Sequence, residues 1–192
     1  MPRKKEFDPD IIVEKAMEIF WQRGYEKTSL QNLVDYLGIG RGSLYATFSN
    51  KHTLFLAALD QYSAKRVEKL STLFETNEFT KSLAMLFHNL INEIVIDKEF
   101  RGCFLTNTTT ELASHDPVVF KRVKKLHENN LNCLKGAIEK AVQREEISKN
   151  NNPHTLALFI VNTLNGLLVM AKKDSKREDL ESIADIALSI IK

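Results

Sequence analysis

The stretch LGIGRGSLYATFSNK, Leu37 to Lys51, places three glycines at alternate positions ahead of a hydroxyl residue. Such spacing is typical of either a phosphate-binding loop or a tight turn between two helices. A dinucleotide-binding loop needs a β-strand before its glycines, but the residues before Gly40 have helical spacing. The third glycine also comes one residue early for that loop, and Lys51 lies too far away to complete a Walker motif.

Helical spacing on both sides of the glycines favours a helix-turn-helix. A first short helix is predicted by apolar residues at i, i+3, i+4 and i+7, namely Leu30, Leu33, Val34 and Leu37. Gly38 supplies the left-handed residue that ends this helix. The next helix covers about 41–47, with Leu44 and Phe48 facing inward.

The outward face of this second helix suits a DNA major groove. Arginine bonds guanine edges, serine and threonine bond bases or phosphates, and small residues permit close approach. Helix N-termini and lysines are typical phosphate contacts. The predicted DNA-contacting residues are Lys27, Thr28, Ser29, Arg41, Gly42, Ser43, Tyr45, Thr47 and Lys51.

The residues AMEIFWQRGYEKTSLQNLVDYLGIGRGSLYATFSNKHTLF, Ala16 to Phe55, resemble the DNA-binding domain of the TetR family of transcriptional regulators. The resemblance implies DNA contacts by Thr28, Arg41, Gly42, Ser43, Tyr45 and Lys51. It also implies a helical effector domain and a homodimer on a pseudo-palindromic double-stranded operator. The chain departs from the family pattern at Gly40, Arg41 and Thr47, where the family usually has serine, lysine and an aromatic residue. Loss of the hydroxyl at position 40 removes one helix-capping or phosphate bond.

The rest of the 192 residues is also predicted to be helical, which makes the fold all-α. Further helices are expected at about 51–75, 79–97, 103–113, 117–146, 153–172 and 176–191. We predict a three-helix DNA-binding domain over 1–50 and a helical effector-binding and dimerisation domain over 51–192.

The composition of the chain indicates a cellular location but does not identify a binding partner. The net charge is +2, so an argument for nucleic acid depends on where the charges lie, including Arg3, Lys4 and Lys5. We find no secretory signal and no uninterrupted apolar run long enough for a membrane span. With two cysteines in the chain, we expect a cytoplasmic protein without a structural disulfide.

A small-molecule effector site is predicted in the middle helices, where polar residues lie among apolar ones. The candidates are Phe87, His88, Cys103, Phe104, Asn107, Thr108 and Glu111. The segment Arg101 to Pro117 resembles one in a subset of the family that includes electrophile-sensing regulators. Cys103 is therefore interpreted either as a reactive thiol at a helix N-terminus or as a small buried apolar residue.

The last two helices carry apolar residues on more than one face, which indicates a second partner. We predict a four-helix dimer interface formed with the two-fold mate, with a purely intrachain core as the alternative. The predicted interface residues are Leu156, Phe159, Ile160, Leu164, Leu167, Ile183, Ala187 and Ile190.

These patterns together predict a ligand-responsive, sequence-specific DNA-binding regulator, a repressor that a small molecule releases from its operator. An enzyme is not indicated, because no nucleophile elbow or phosphate loop is present. The histidines are scattered, so no metal site or cofactor is assigned. A helical interaction module that does not bind DNA stays open as the alternative.

Overall fold

A computed structural model describes residues 7–173 and 175–191 of the chain. Every regular element in these ranges is helical, which confirms the predicted fold class. The basic residues Arg3, Lys4 and Lys5 lie outside the described residues. The helices are α1 Pro9–Arg23, α2 Leu30–Leu37, α3 Arg41–Phe48, α4 Lys51–Thr76, α5 Phe79–Ile96, α6 Phe104–Leu112, α7 Pro117–Gln143, α8 Pro153–Met170 and α9 Arg177–Ser189, with a 3-10 turn Ala171–Lys173 after α8.

Local signals fix the ends of the first two helices. Asp8 caps α1 by accepting from the Asp10 N–H, and Pro9 opens the helix. Ser29 caps α2 in a reciprocal capping box with Asn32. Gly38 ends α2 in the left-handed conformation, with φ 67° and ψ 25°. The left-handed Gly38 confirms the end that the sequence predicts for α2.

The chain packs as two compact units that do not coincide with the predicted boundary at residue 50, which stays a prediction. The first unit comprises residues 1–64 and 104–124, and the second comprises 65–103 and 125–192. By packing, α6 therefore belongs with the helix-turn-helix.

Aromatic rings make the core of the first unit. Phe20 of α1 meets Phe55 of α4 edge to face, with ring centroids 5.1 Å apart. Phe104 of α6 contacts Phe55 and Tyr62 in the same way, with centroids 5.7 Å apart in each pair. Trp21 completes the row, with its centroid 5.1 Å from that of Tyr62. These contacts fasten α1, α4 and α6 together.

In the second unit, α5, α8 and α9 pack against one another. Arg177 of α9 joins this packing by donating to the Asn92 side chain of α5 at 2.8 Å. The segment Pro153–Lys173 is the one helical stretch, among the described residues, with the length and composition of a membrane span. On the single chain, α8 packs on α5 and α9 and leaves another face open.

Candidate nucleic-acid interface

The second helix of the helix-turn-helix, α3, divides cleanly into a buried and an exposed face. Leu44 and Phe48 are buried, at 2% and 8% exposure. Arg41, Gly42, Ser43 and Ala46 are exposed, Tyr45 keeps 42% of its surface open, and Thr47 is half-buried. The residues predicted to reach DNA from this helix therefore lie at the surface of the first unit.

The start of α3 lacks a side-chain cap, as its sequence predicts. Gly40 occupies the cap position with φ −67°, and no side chain bonds the first turn of the helix. The backbone N–H groups of that turn stay available to an anion, as at other helix N-termini.

Of the predicted contacts before α2, Lys27 and Ser29 are exposed but Thr28 is not. Thr28 is fully buried, and its hydroxyl donates to the Gly24 carbonyl at 2.6 Å. Its hydroxyl closes the turn that leads into α2. The DNA contact predicted for Thr28 stays a prediction.

Lys51, at the first residue of α4, also turns inward. Its Nζ donates to the carbonyls of Tyr25 and Thr28, both at 3.0 Å, and lies 3.8 Å from the centre of the Tyr25 ring. Burial lowers the pKa of Lys51, while the nearby Glu26 and Glu111 carboxylates act in the opposite direction. The ammonium group thus holds the turn between α1 and α2. Two of the three N–H donors of the Lys51 ammonium group are thus occupied, which leaves one for a phosphate contact.

The next residue, His52, pairs with a carboxylate of the first unit. Its Nε2 lies 2.9 Å from an Asp116 oxygen. The other Asp116 oxygen accepts the Val118 and Val119 N–H groups and so caps α7. The Val119 bond is the main reason that the pKa of Asp116 is lowered, and His52 adds to it.

The predicted effector residues are divided between the two units. Phe87 and His88 lie on α5, and His88 is exposed. Phe104, Asn107, Thr108 and Glu111 share one face of α6 by their i, i+3, i+4 and i+7 spacing. Thr108 is buried and donates to the Phe104 carbonyl at 2.9 Å, and Phe104 belongs to the aromatic core.

Two of these candidates, His88 and Glu111, have surroundings that helical spacing alone does not indicate. His88 is exposed, and its role in an effector pocket stays a prediction. Both carboxylate oxygens of Glu111 accept backbone N–H groups, from Tyr25 and Glu26. Residue spacing could not indicate this pairing, because the partners lie 85 and 86 residues apart in the chain.

Cys103 directly precedes α6 and is only 4% exposed. Its burial agrees with the interpretation as a small apolar core residue, and the sensing role stays a prediction. Burial also raises the pKa of the Cys133 thiol, which makes that sulfur less reactive.

Most of the predicted dimer residues belong to the protomer's own core. The buried ones are Leu156, Ile160, Leu164, Leu167 and Ala187. Ile183 is half-buried, whereas Phe159 and Ile190 are exposed. The exposed apolar stripe of α8 and α9 instead consists of Leu158, Phe159, Val169, Ile186 and Ile190, with Gly166 between them.

An exposed polar helix held by a turn and a preceding capped helix defines the helix-turn-helix class of DNA-binding proteins. Family models agree with this class. Residues 12–58 match the bacterial regulatory proteins of the TetR family, and residues 81–186 match the tetracyclin repressor-like C-terminal domain. The chain belongs to the TetR family.

Similar proteins share this organisation along their whole length. The HTH-type transcriptional repressor ComR of Escherichia coli is 33% identical over 98% of this chain and 90% of its own. The HTH-type transcriptional regulator YezE of Bacillus subtilis is 29% identical over 100% of both chains. A cysteine-substituted form of the regulator CifR, solved with 26 bp operator DNA, is 26% identical, with a TM-score of 0.84 over 97% of this chain and 98% of its own.

These likenesses confirm the predicted function at the level of the family. The chain is a ligand-responsive DNA-binding transcriptional regulator, not an enzyme.

Proposed function

We propose that the protein is a repressor that binds a pseudo-palindromic operator as a homodimer and leaves it when a small molecule binds. The observation that carries the proposal is the surface of α3, where Arg41, Ser43 and Tyr45 are exposed while Leu44 and Phe48 anchor the helix. Arginine at the first helical position suits a guanine edge, and the tyrosine hydroxyl suits a base or a phosphate.

The C-terminal stripe of α8 and α9 supports the homodimer. Five large apolar side chains there are between 37% and 64% exposed on the single chain. Contiguous exposed apolar area on a surface marks an interaction site. A two-fold mate covering this stripe with its own copy gives the isologous contact that is usual for dimers. The dimer then presents two α3 helices, which must lie about 34 Å apart to enter successive major grooves.

The effector prediction now centres on α6. Asn107 is half-buried and Thr108 buried on this helix, and Phe104 of α6 packs on Phe55 of α4, the helix that follows the helix-turn-helix. A small molecule that binds differently to two arrangements of α6 shifts the population between them. This coupling supports release from DNA in a cytoplasmic regulator.

The operator test begins by selecting bound duplexes from a random-sequence pool, followed by titration at several salt concentrations. Wild-type affinity must fall steeply as salt rises, because phosphate contacts release counterions. We expect Arg41→Ala to weaken binding by about 1–3 kcal/mol, the usual worth of a base contact. Arg144→Ala is the matched control, because Arg144 is an exposed arginine of the second unit.

Tyr45→Phe separates the hydroxyl from the ring at the same surface. Weaker binding by this variant and by Arg41→Ala, with an unchanged dimer by sedimentation velocity, supports the assignment. Wild-type affinity in both variants refutes it. Failure of the pool to yield any salt-sensitive duplex favours the helical interaction module that does not bind DNA.

A further inference from the structure

The turn between α1 and α2 is held by a carboxylate from α6. The Tyr25 N–H donates to one Glu111 oxygen at 3.2 Å, and the Glu26 N–H donates to the other at 3.0 Å. All of these residues lie in the first compact unit. Two adjacent backbone N–H groups that share one carboxylate form a small anion-binding concavity, which Glu111 fills.

Gly24 leaves the space that this carboxylate occupies. A Cβ on Gly24 would lie 2.8 Å from one Glu111 oxygen and 2.9 Å from the other. Gly24 also has φ 81°, which a residue with a side chain adopts at a cost. The glycine that ends α1 therefore serves two purposes: it turns the chain and it admits Glu111.

The carbonyl side of the same turn is held by Lys51. Its ammonium group binds the Tyr25 and Thr28 carbonyls, and the Thr28 hydroxyl binds the Gly24 carbonyl. Burial lowers the pKa of Lys51, and the Glu26 and Glu111 carboxylates both act against this effect. The next residue after Thr28 is Ser29, the cap of α2. The position of the whole turn thus sets where α2 begins.

We propose that Glu111 is a positioning residue for operator binding. Its carboxylate fixes the α1–α2 turn and, through that turn, the placement of α2 and of the α3 face that follows it. This inference rests on the proposed operator-binding function and deepens it. It assigns Glu111 to the DNA-binding machinery in place of the effector pocket.

Because Glu111 is negatively charged, an electrostatic role and a positioning role predict opposite changes in operator affinity when the charge is removed. Loss of a negative charge beside a DNA-binding surface strengthens the attraction to phosphates, so a purely electrostatic role predicts equal or tighter binding for Glu111→Gln. The positioning role predicts weaker operator binding by Glu111→Gln. The glutamine amide has one oxygen to accept a hydrogen bond, and its NH₂ group points toward the second backbone N–H. The matched control is Glu26→Gln, since Glu26 is exposed and carries the same charge on the same turn.

The experiment measures operator affinity by fluorescence anisotropy for the full-length wild type, Glu111→Gln and Glu26→Gln. We expect Glu111→Gln to bind roughly tenfold more weakly, as for loss of a hydrogen bond to a charged group, and Glu26→Gln to bind as well as wild type or better. Equal or tighter binding by Glu111→Gln overturns the proposal.

A spectroscopic readout distinguishes positioning from a general loss of stability. In ¹H–¹⁵N spectra, the Tyr25 and Glu26 amides should shift in Glu111→Gln, while amides of the second unit keep their positions. Weaker binding with both amides unmoved overturns the proposal. If Glu111→Gln does not fold, Gly24→Ala takes its place, because the new methyl pushes into the same carboxylate. Wild-type affinity in a folded Gly24→Ala overturns the proposal as well.

Failure of this inference differs from failure of the proposed function. A wild type that binds no duplex removes the operator function itself, whereas a wild type that binds while Glu111→Gln binds equally removes only the role of Glu111.

Discussion

Gly42→Ala should make the free protein more stable and its operator complex weaker. Gly42 is the second residue of α3 and is exposed, and a Cβ built on it meets no atom within 4 Å. The added methyl therefore costs nothing sterically in the free protein. Alanine in place of a helical glycine contributes about 0.5–1 kcal/mol. For a chain of this size, 1 kcal/mol corresponds to about 2–4 °C in melting temperature.

On DNA the same methyl occupies the edge of α3 that approaches the groove. A methyl forced into an already close contact costs about 1–3 kcal/mol, which corresponds to a loss of affinity from about fivefold to over a hundredfold. Stability and affinity are thus expected to change in opposite directions. This pattern cannot arise from misfolding, which lowers both.

Thermal unfolding and operator titration of the same preparation measure the two effects. Gly136→Ala is the control, because Gly136 lies within α7 and a Cβ there also meets nothing within 4 Å. It should give a similar stabilisation and wild-type affinity. A Gly42→Ala protein that is more stable and still binds the operator as tightly as wild type refutes the placement of the α3 face against DNA.

Four more outcomes follow from the structure. A Cβ built on Gly166 meets no atom of its own chain within 4 Å, so the methyl of Gly166→Ala can clash only with the two-fold mate. We expect this variant to raise the dimer dissociation constant about tenfold in sedimentation equilibrium. An unchanged dissociation constant places the interface elsewhere. Gly38→Ala should cost about 1–2 kcal/mol in urea unfolding because its φ is 67°, and Gly38→Asn should cost less; equal costs contradict the conformational explanation. Gly40→Ser should add a few tenths of a kcal/mol through the missing cap, and a destabilised variant argues against a cap at this position. The thiols of Cys103 and Cys133 should react far more slowly with a disulfide reagent in the native protein than in urea. Cys103 is only 4% exposed, and burial raises the pKa of the Cys133 thiol. Native reaction rates equal to those in urea contradict this burial.

The sequence predicted those parts of the fold whose signals are local. A stop such as Gly38 acts within one turn of itself, so its residue type suffices to place the end of a helix. The division of α3 into buried Leu44 and Phe48 and an exposed polar face followed from helical spacing alone.

The direction of long side chains could not be predicted in this way. Lys51 has the position of a phosphate-binding lysine, yet its ammonium group is bound to carbonyls more than 20 residues away in the chain. Thr28, predicted to contact DNA, is fully buried and donates to the Gly24 carbonyl. Such partners are set by tertiary packing, which periodicity within one helix does not contain.

The sequence also could not predict which face of α8 is available for the dimer. Spacing showed that α8 is apolar on too many sides for a surface helix. Spacing did not show which of these sides packs within the protomer. In the structure α8 packs on α5 and α9, Ile160 and Leu164 are buried, and Leu158 and Val169 are exposed.

The row of aromatic rings in the first unit has a practical use. Trp21 is the single tryptophan of the chain, and its ring meets Tyr62, which in turn meets Phe104 at the start of α6. Its emission is therefore an intrinsic optical probe of this row. A change in fluorescence when a compound is added reports a change in the surroundings of Trp21 without any dye, so the unmodified protein can be screened for compounds that alter this row of rings.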